Sequence, residues 1–85
     1  MMSDEEIVAV LQRERGRLEP VALASLLDHL TNGGLSQGAI VTYFKRAFPA
    51  IPLRLLLDAG EWHRVGGGEL SDEQFNEMLR PWLAH

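Results

Sequence analysis

Ser36 sits in Gly34-Leu35-Ser36-Gln37-Gly38, the G-x-S-x-G spacing that places a nucleophilic serine on a strand-to-helix elbow. That chemistry needs a sheet before the serine, whereas the residues before Ser36 carry a helical pattern. The pattern therefore reads as a helix C-cap followed by a serine N-cap, and no catalytic role is expected. His29, His63 and His85, with Asp28, Asp58 and Glu61 nearby, contain the right atoms for a metal site. Their spacing matches no helical ligand pair such as H-E-x-x-H, so they are expected to be solvated or interfacial. His29 and His63 would make any contact they join pH-sensitive. Gly66-Gly67-Gly68 lacks the Lys-Ser/Thr ending and the preceding strand of a phosphate loop, and reads as a turn or flexible link. Glu73 and Glu77, at i, i+4, form a solvated acidic face. No enzyme, metal or cofactor signature results.

The elements that must position these residues are helical. The first helix is capped by the box Ser3-Asp4-Glu5-Glu6 and buries Ile7, Val10, Leu11 and Leu18, with Gly16 near its end. The second opens at Pro20, carries Leu23, Leu26, Leu27 and Leu30 on one face, and ends at Asn32-Gly33-Gly34. A third runs from its Ser36 cap through Phe48, with Ile40, Val41, Phe44, Ala47 and Phe48 inward, and Pro49 stops it. Pro52 opens a fourth helix, apolar on most sides, with Leu53, Leu56 and Leu57 inward and Arg54, Asp58 and Glu61 as its polar strip. A fifth repeats the entry chemistry of the first in Ser71-Asp72-Glu73-Gln74 and carries Phe75, Met78, Leu79 and Trp82 on one face. Pro81 should kink or end it around Arg80. The expected fold is all-α: one domain over residues 1–85, a compact bundle of about five short helices with the fourth central.

Composition fits that fold and narrows the function. The 85 residues are 46% hydrophobic and 24% charged, with no cysteine, so packing alone must hold the core. The acidic start MMSDEE is unlike a signal peptide, and no apolar run is long enough to span a bilayer, which places the chain in the cytoplasm without a membrane role. The net charge of −4 is unevenly spread. Residues 1–35 and 66–85 each carry a net −3, while residues 36–65, with Lys45, Arg46, Arg54 and Arg64 against Asp58 and Glu61, carry +2.

Leu35-Ser36-Gln37-Gly38-Ala39-Ile40-Val41-Thr42-Tyr43-Phe44-Lys45-Arg46 resembles the second helix of bacterial helix-turn-helix domains. The resemblance implies a DNA-binding regulator reading bases and phosphates with helix 36–48, through Gln37, Thr42, Lys45 and Arg46. The connection from Leu30 to Leu35 is longer than the tight turn of such domains, and the acidic total disfavours nucleic acid. The reading preferred is a non-enzymatic protein-protein interaction module, an adaptor or a small acidic inhibitor of immunity type. Its architecture is comparable to that of small adaptor bundles of the death-fold type, which associate through charged faces. Short helices in so small a domain cannot bury every apolar residue, so Tyr43, Leu55, Trp62 and Trp82 are expected to be partly exposed. Tyr43, Lys45, Arg46, Arg54, Trp62 and Arg64 then form a basic-aromatic docking surface. The partner is another protein, or a second copy meeting the acidic helices head to tail.

Overall fold

The computed structural model describes residues 2–83, and His85 therefore lies outside the described residues. Five helices make up the fold: α1 (Asp4–Glu14), α2 (Pro20–Leu30), α3 (37–47), α4 (Leu53–Asp58) and α5 (Asp72–Leu83). The all-α expectation holds: the only strand-like pairings among the described residues are two isolated bridges. The principal extents are 32 × 27 × 20 Å.

Local chemistry sets the helix starts. Ser3 accepts from the Glu6 amide and Glu6 reaches back to the Ser3 amide, giving the reciprocal cap that the sequence predicts. Ser71 and Gln74 repeat this at the entry to α5. Asn32 ends α2 at φ 56°. The Asn32 amide bonds the His29 carbonyl and the Gly33 amide bonds the Asp28 carbonyl, which is the Schellman pairing. The middle of α3, Ile40–Phe44, is a wide π turn that coincides with the β-branched run Ile40, Val41 and Thr42.

Every helix contributes to one core. Ile7 and Leu11 of α1 meet Leu23, Ala24 and Leu27 of α2, Ile40, Phe44 and Ala47 of α3, Leu56 of α4, and Phe75, Leu79 and Leu83 of α5. Phe48, Ile51, Ala59 and Trp62 join them from the connections. Other helix ends are tied by distant side chains. The Val21 amide, left free at the start of α2, donates to Asn76 Oδ1 at 2.8 Å. Gln12 donates to the Ala47 carbonyl at the end of α3, and Gln37 donates to the Leu57 carbonyl near the end of α4.

Three expectations are corrected here. Leu53 and Leu57 do not point inward: they are 47% and 49% exposed, because α4 lies on α3 with Leu56 as its buried residue and leaves the Leu53–Leu57 side in solvent. Trp62 is not at the surface. It is fully buried, since its ring lies against Phe75 with centroids 4.1 Å apart. Of the kink or end expected around Arg80, the end does not occur: the last helix continues through Pro81 to Leu83. Pro81 and Glu77 both lie on its exposed side, where water can satisfy the Glu77 carbonyl, and buried Leu83 anchors the final turn.

The three glycines after Val65 form a tight turn. The Gly66 amide donates to the Trp62 carbonyl, and the Leu70 amide donates to the Glu61 carbonyl. A Cβ on Gly66 would strike the Gly60 carbonyl oxygen, and one on Gly68 would strike the Glu61 backbone, whereas Gly67 faces open space at φ 68°. Gly66→Ala and Gly68→Ala should each cost about 1–3 kcal/mol, the usual range for forcing extra volume against structure that cannot yield. Gly67→Ala bears only the left-handed backbone penalty of about 1–2 kcal/mol. Urea midpoints at constant m-value measure the order; equal losses at all three positions would contradict the backbone contacts as its cause.

Candidate functional site

The six residues expected to form a docking face have separate roles. On α3, Tyr43 donates to Asp4 Oδ1 at 2.7 Å, and Arg46 lies 3.8 Å from Asp4 Oδ2. The bond to Asp4 holds the Tyr43 hydroxyl above its ordinary pKa. Lys45 turns back on its own chain and donates to the Pro49 and Ile51 carbonyls at 3.0 and 2.8 Å, closing the corner after α3. Trp62 and Arg64 belong to a different cluster. Arg54 is exposed on α4 and takes part in no ion pair or side-chain hydrogen bond among the described residues.

That second cluster is built around Asp72. Its Oδ1 accepts from the Trp62 indole N–H at 2.8 Å and lies 2.8 Å from His63 Nε2; its Oδ2 accepts from Arg64 at 3.0 Å. Arg64 also donates to Ser25 of α2 at 3.3 Å and lies over the Trp62 ring, 5.5 Å from the centroid. Trp62 and Phe75 stack at an interplanar angle of 17°. The cluster thus joins the end of the Ala59–Glu61 turn, the glycine turn, α2 and the first residue of α5. The hydrogen bond from Trp62, with that from His63, holds the Asp72 carboxyl below its ordinary value.

The polar atoms considered for catalysis are also engaged. Ser36 Oγ accepts from the Ala39 amide at 3.1 Å, so the G-x-S-x-G pattern is a helix cap. Among the described residues, no polar or charged side chain is buried, and no three His, Asp or Glu residues are grouped as metal ligands would be. No helix among them is long and apolar enough to cross a membrane. The concave surfaces are shallow; one, of about 260 Å³, lies between the α1–α2 loop and the end of α5 and is lined by Leu18, Pro20, Arg80 and Leu83.

The surface that stands out is on α4. Leu53 and Leu57 lie one turn apart on its outer side, next to Arg54 and Asp58, which are exposed as well. Trp82, 37% exposed as expected, is the remaining exposed large hydrophobic residue among those described and lies on a different helix. Sequence reasoning placed Leu53 and Leu57 in the core because apolar residues surround α4. The length of α4 decides otherwise: two turns offer only one strip to the interior, and Leu56 with Ala59 fills it.

Asp72→Asn should lower stability at neutral pH through loss of the charge facing His63 and Arg64. Because the folded-state carboxyl titrates below 3.8, its contribution is present above that pH and is lost as the pH falls through the folded value. The gap in urea midpoint between wild type and Asp72→Asn should therefore close as the pH is lowered from 6 toward 2. A gap independent of pH would rule out the charged network as its source. No family model matches the chain, and neither a curated protein nor a solved structure matches it with significance.

Proposed function

We propose that the chain is a non-enzymatic protein-binding module that docks on a partner through the outer side of α4. The observation that carries this reading is the half-exposed pair Leu53 and Leu57 on one short helix, beside an unpaired Arg54. Two adjacent leucines left in water forgo roughly 1 kcal/mol each of burial free energy, which a partner surface can recover. Arginine beside an apolar centre supplies the directional contact typical of interface anchors. Within the protein-binding class this favours an adaptor over an acidic inhibitor, whose contact would lie on α1 or α5. The docking face also shifts from the basic-aromatic set to Leu53, Arg54 and Leu57, since Lys45 and Arg64 are held in internal contacts and Trp62 is in the core.

The DNA-reading alternative has less support. Of its four residues on α3, Gln37 is bonded to the Leu57 carbonyl, Lys45 to the Pro49 and Ile51 carbonyls, and Arg46 lies against Asp4, leaving Thr42 as the one without such a contact. Salt-sensitive duplex binding lost in Arg46→Glu would reverse this preference.

A photo-crosslinking residue at position 57, introduced in the native host, should give a discrete protein adduct that mass spectrometry can identify. The same probe at exposed Glu73 should not, and Leu53→Asp added to the position-57 probe should abolish the adduct while the thermal melt stays cooperative. Equal adducts from both positions would refute α4 as the docking face.

A further inference from the structure

The α4 surface carries a charge order that is complementary to its own reverse. Reading along the exposed side, Leu53 is followed by Arg54, and Leu57 by Asp58. Arg54 and Asp58 stand at i, i+4, the spacing at which opposite charges commonly pair, yet neither belongs to an ion pair or side-chain hydrogen bond among the described residues. A partner helix that satisfies both must present a carboxylate where Arg54 lies and a cation where Asp58 lies. The same helix running in the opposite direction does so.

We propose that a second copy of this chain occupies the face, with the two α4 helices antiparallel across a two-fold axis that passes near Leu56. This rests on the docking reading above and names its partner. With a rise of about 1.5 Å per residue, that axis sets Arg54 level with Asp58 of the second copy, and Asp58 level with its Arg54. The four leucines then alternate along the seam at steps of about 3 Å: Leu53, Leu57 of the second copy, Leu57, Leu53 of the second copy. Arg54 and Asp58 lie on the same flank of the leucine strip, and a two-fold axis normal to the helices brings like flanks together, so both ion pairs form on one side of the seam. A parallel two-fold, running along the helices, would instead put the two Arg54–Asp58 flanks on opposite sides of the seam, where neither ion pair can form. The interface is isologous and closes at two copies. Two turns of helix bury much less than the roughly 1,600 Å² of a standard stable complex, so the association belongs to the weak, reversible class.

Sedimentation equilibrium of the whole chain, from micromolar concentrations up to about 1 mM, tests the arrangement. Wild type should show reversible dimerisation. R54E and D58R, each at an exposed position and each checked for an unchanged melt, should weaken it at least about tenfold, because each sets like charges together twice. An equimolar mixture of R54E with D58R should associate again, and the double variant R54E/D58R should dimerise like wild type, because the exchanged pair is still complementary to its reverse. A wild type that stays monomeric throughout, single variants that dimerise as wild type does, or a mixture that remains monomeric would each overturn the proposal. A monomeric chain whose position-57 probe captures a different protein would leave the docking reading in place and remove the second copy; equal adducts from positions 57 and 73 would remove both.

Discussion

A buried indole needs an acceptor for its N–H, and much of this structure follows from where that acceptor lies. Trp62 is the largest fully buried side chain, and its N–H reaches Asp72 at the first turn of α5. An unpaired donor there would cost about 1–3 kcal/mol, so α5 is held in place by chemistry as well as by shape. Once Asp72 is fixed, its carboxylate draws in His63 and Arg64, and Arg64 extends to Ser25 on α2. The glycine turn must then be tight enough to bring residue 62 beside residue 72, which explains why the backbone around Gly66 and Gly68 leaves no room for a side chain. The stretch from Trp62 to Asp72 is thus organised around this hydrogen bond and the aromatic stack beneath it.

The same economy governs the surface. The middle segment has a positive sum, but its cations are unequally available. Lys45 closes a corner, Arg46 and Tyr43 share Asp4, and Arg64 is bound to Asp72. Ion pairs this exposed add little to stability, typically under about 1 kcal/mol, but they do decide which charges face outward uncompensated. Arg54 is one that does, and it lies beside the leucines that the core does not use. Charge counted along a chain and charge presented by a fold are different quantities, and recognition depends on the second.

The parts of this architecture legible from sequence are those encoded within a few residues. The two capping boxes, the Asn32 helix end, the proline entries and the all-helical class depend on i, i+3 or i, i+4 relationships, and each appears as read. The two tryptophans show the limit. Trp82 and Trp62 were expected to be alike, yet one is partly exposed and the other is sealed under Arg64 and against Phe75. No local pattern separates them, because the difference lies in the return of α5 over the 62–70 turn. Leu53 and Leu57 show the converse error. Their hydrophobicity was plain, but which side of α4 meets the core depends on packing against residues distant in sequence: Leu56 and Ala59 fill the inward strip, and Gln37, twenty residues before Leu57, bonds its carbonyl. The candidate docking face was therefore only partly legible: Arg54 was named for it, and the leucines beside it were assigned to the interior.

The bond from the Val21 amide to Asn76 has a consequence for how such a chain acquires structure. Isolated helices of eleven or twelve residues are marginal in water, and α2 has no side-chain cap of its own at its N-terminus. Its free donor is satisfied only after the last helix has docked, fifty-five residues later, and α3 and α4 likewise receive end contacts from Gln12 and Gln37. Between them these three bonds involve every helix, so removal of α1 or α5 strips an end contact from a helix elsewhere in the chain. Such reciprocal dependence couples the loss of one element to the loss of its neighbours, so the natural unit of order is the whole domain, and truncation from either end should dissolve the bundle rather than trim it.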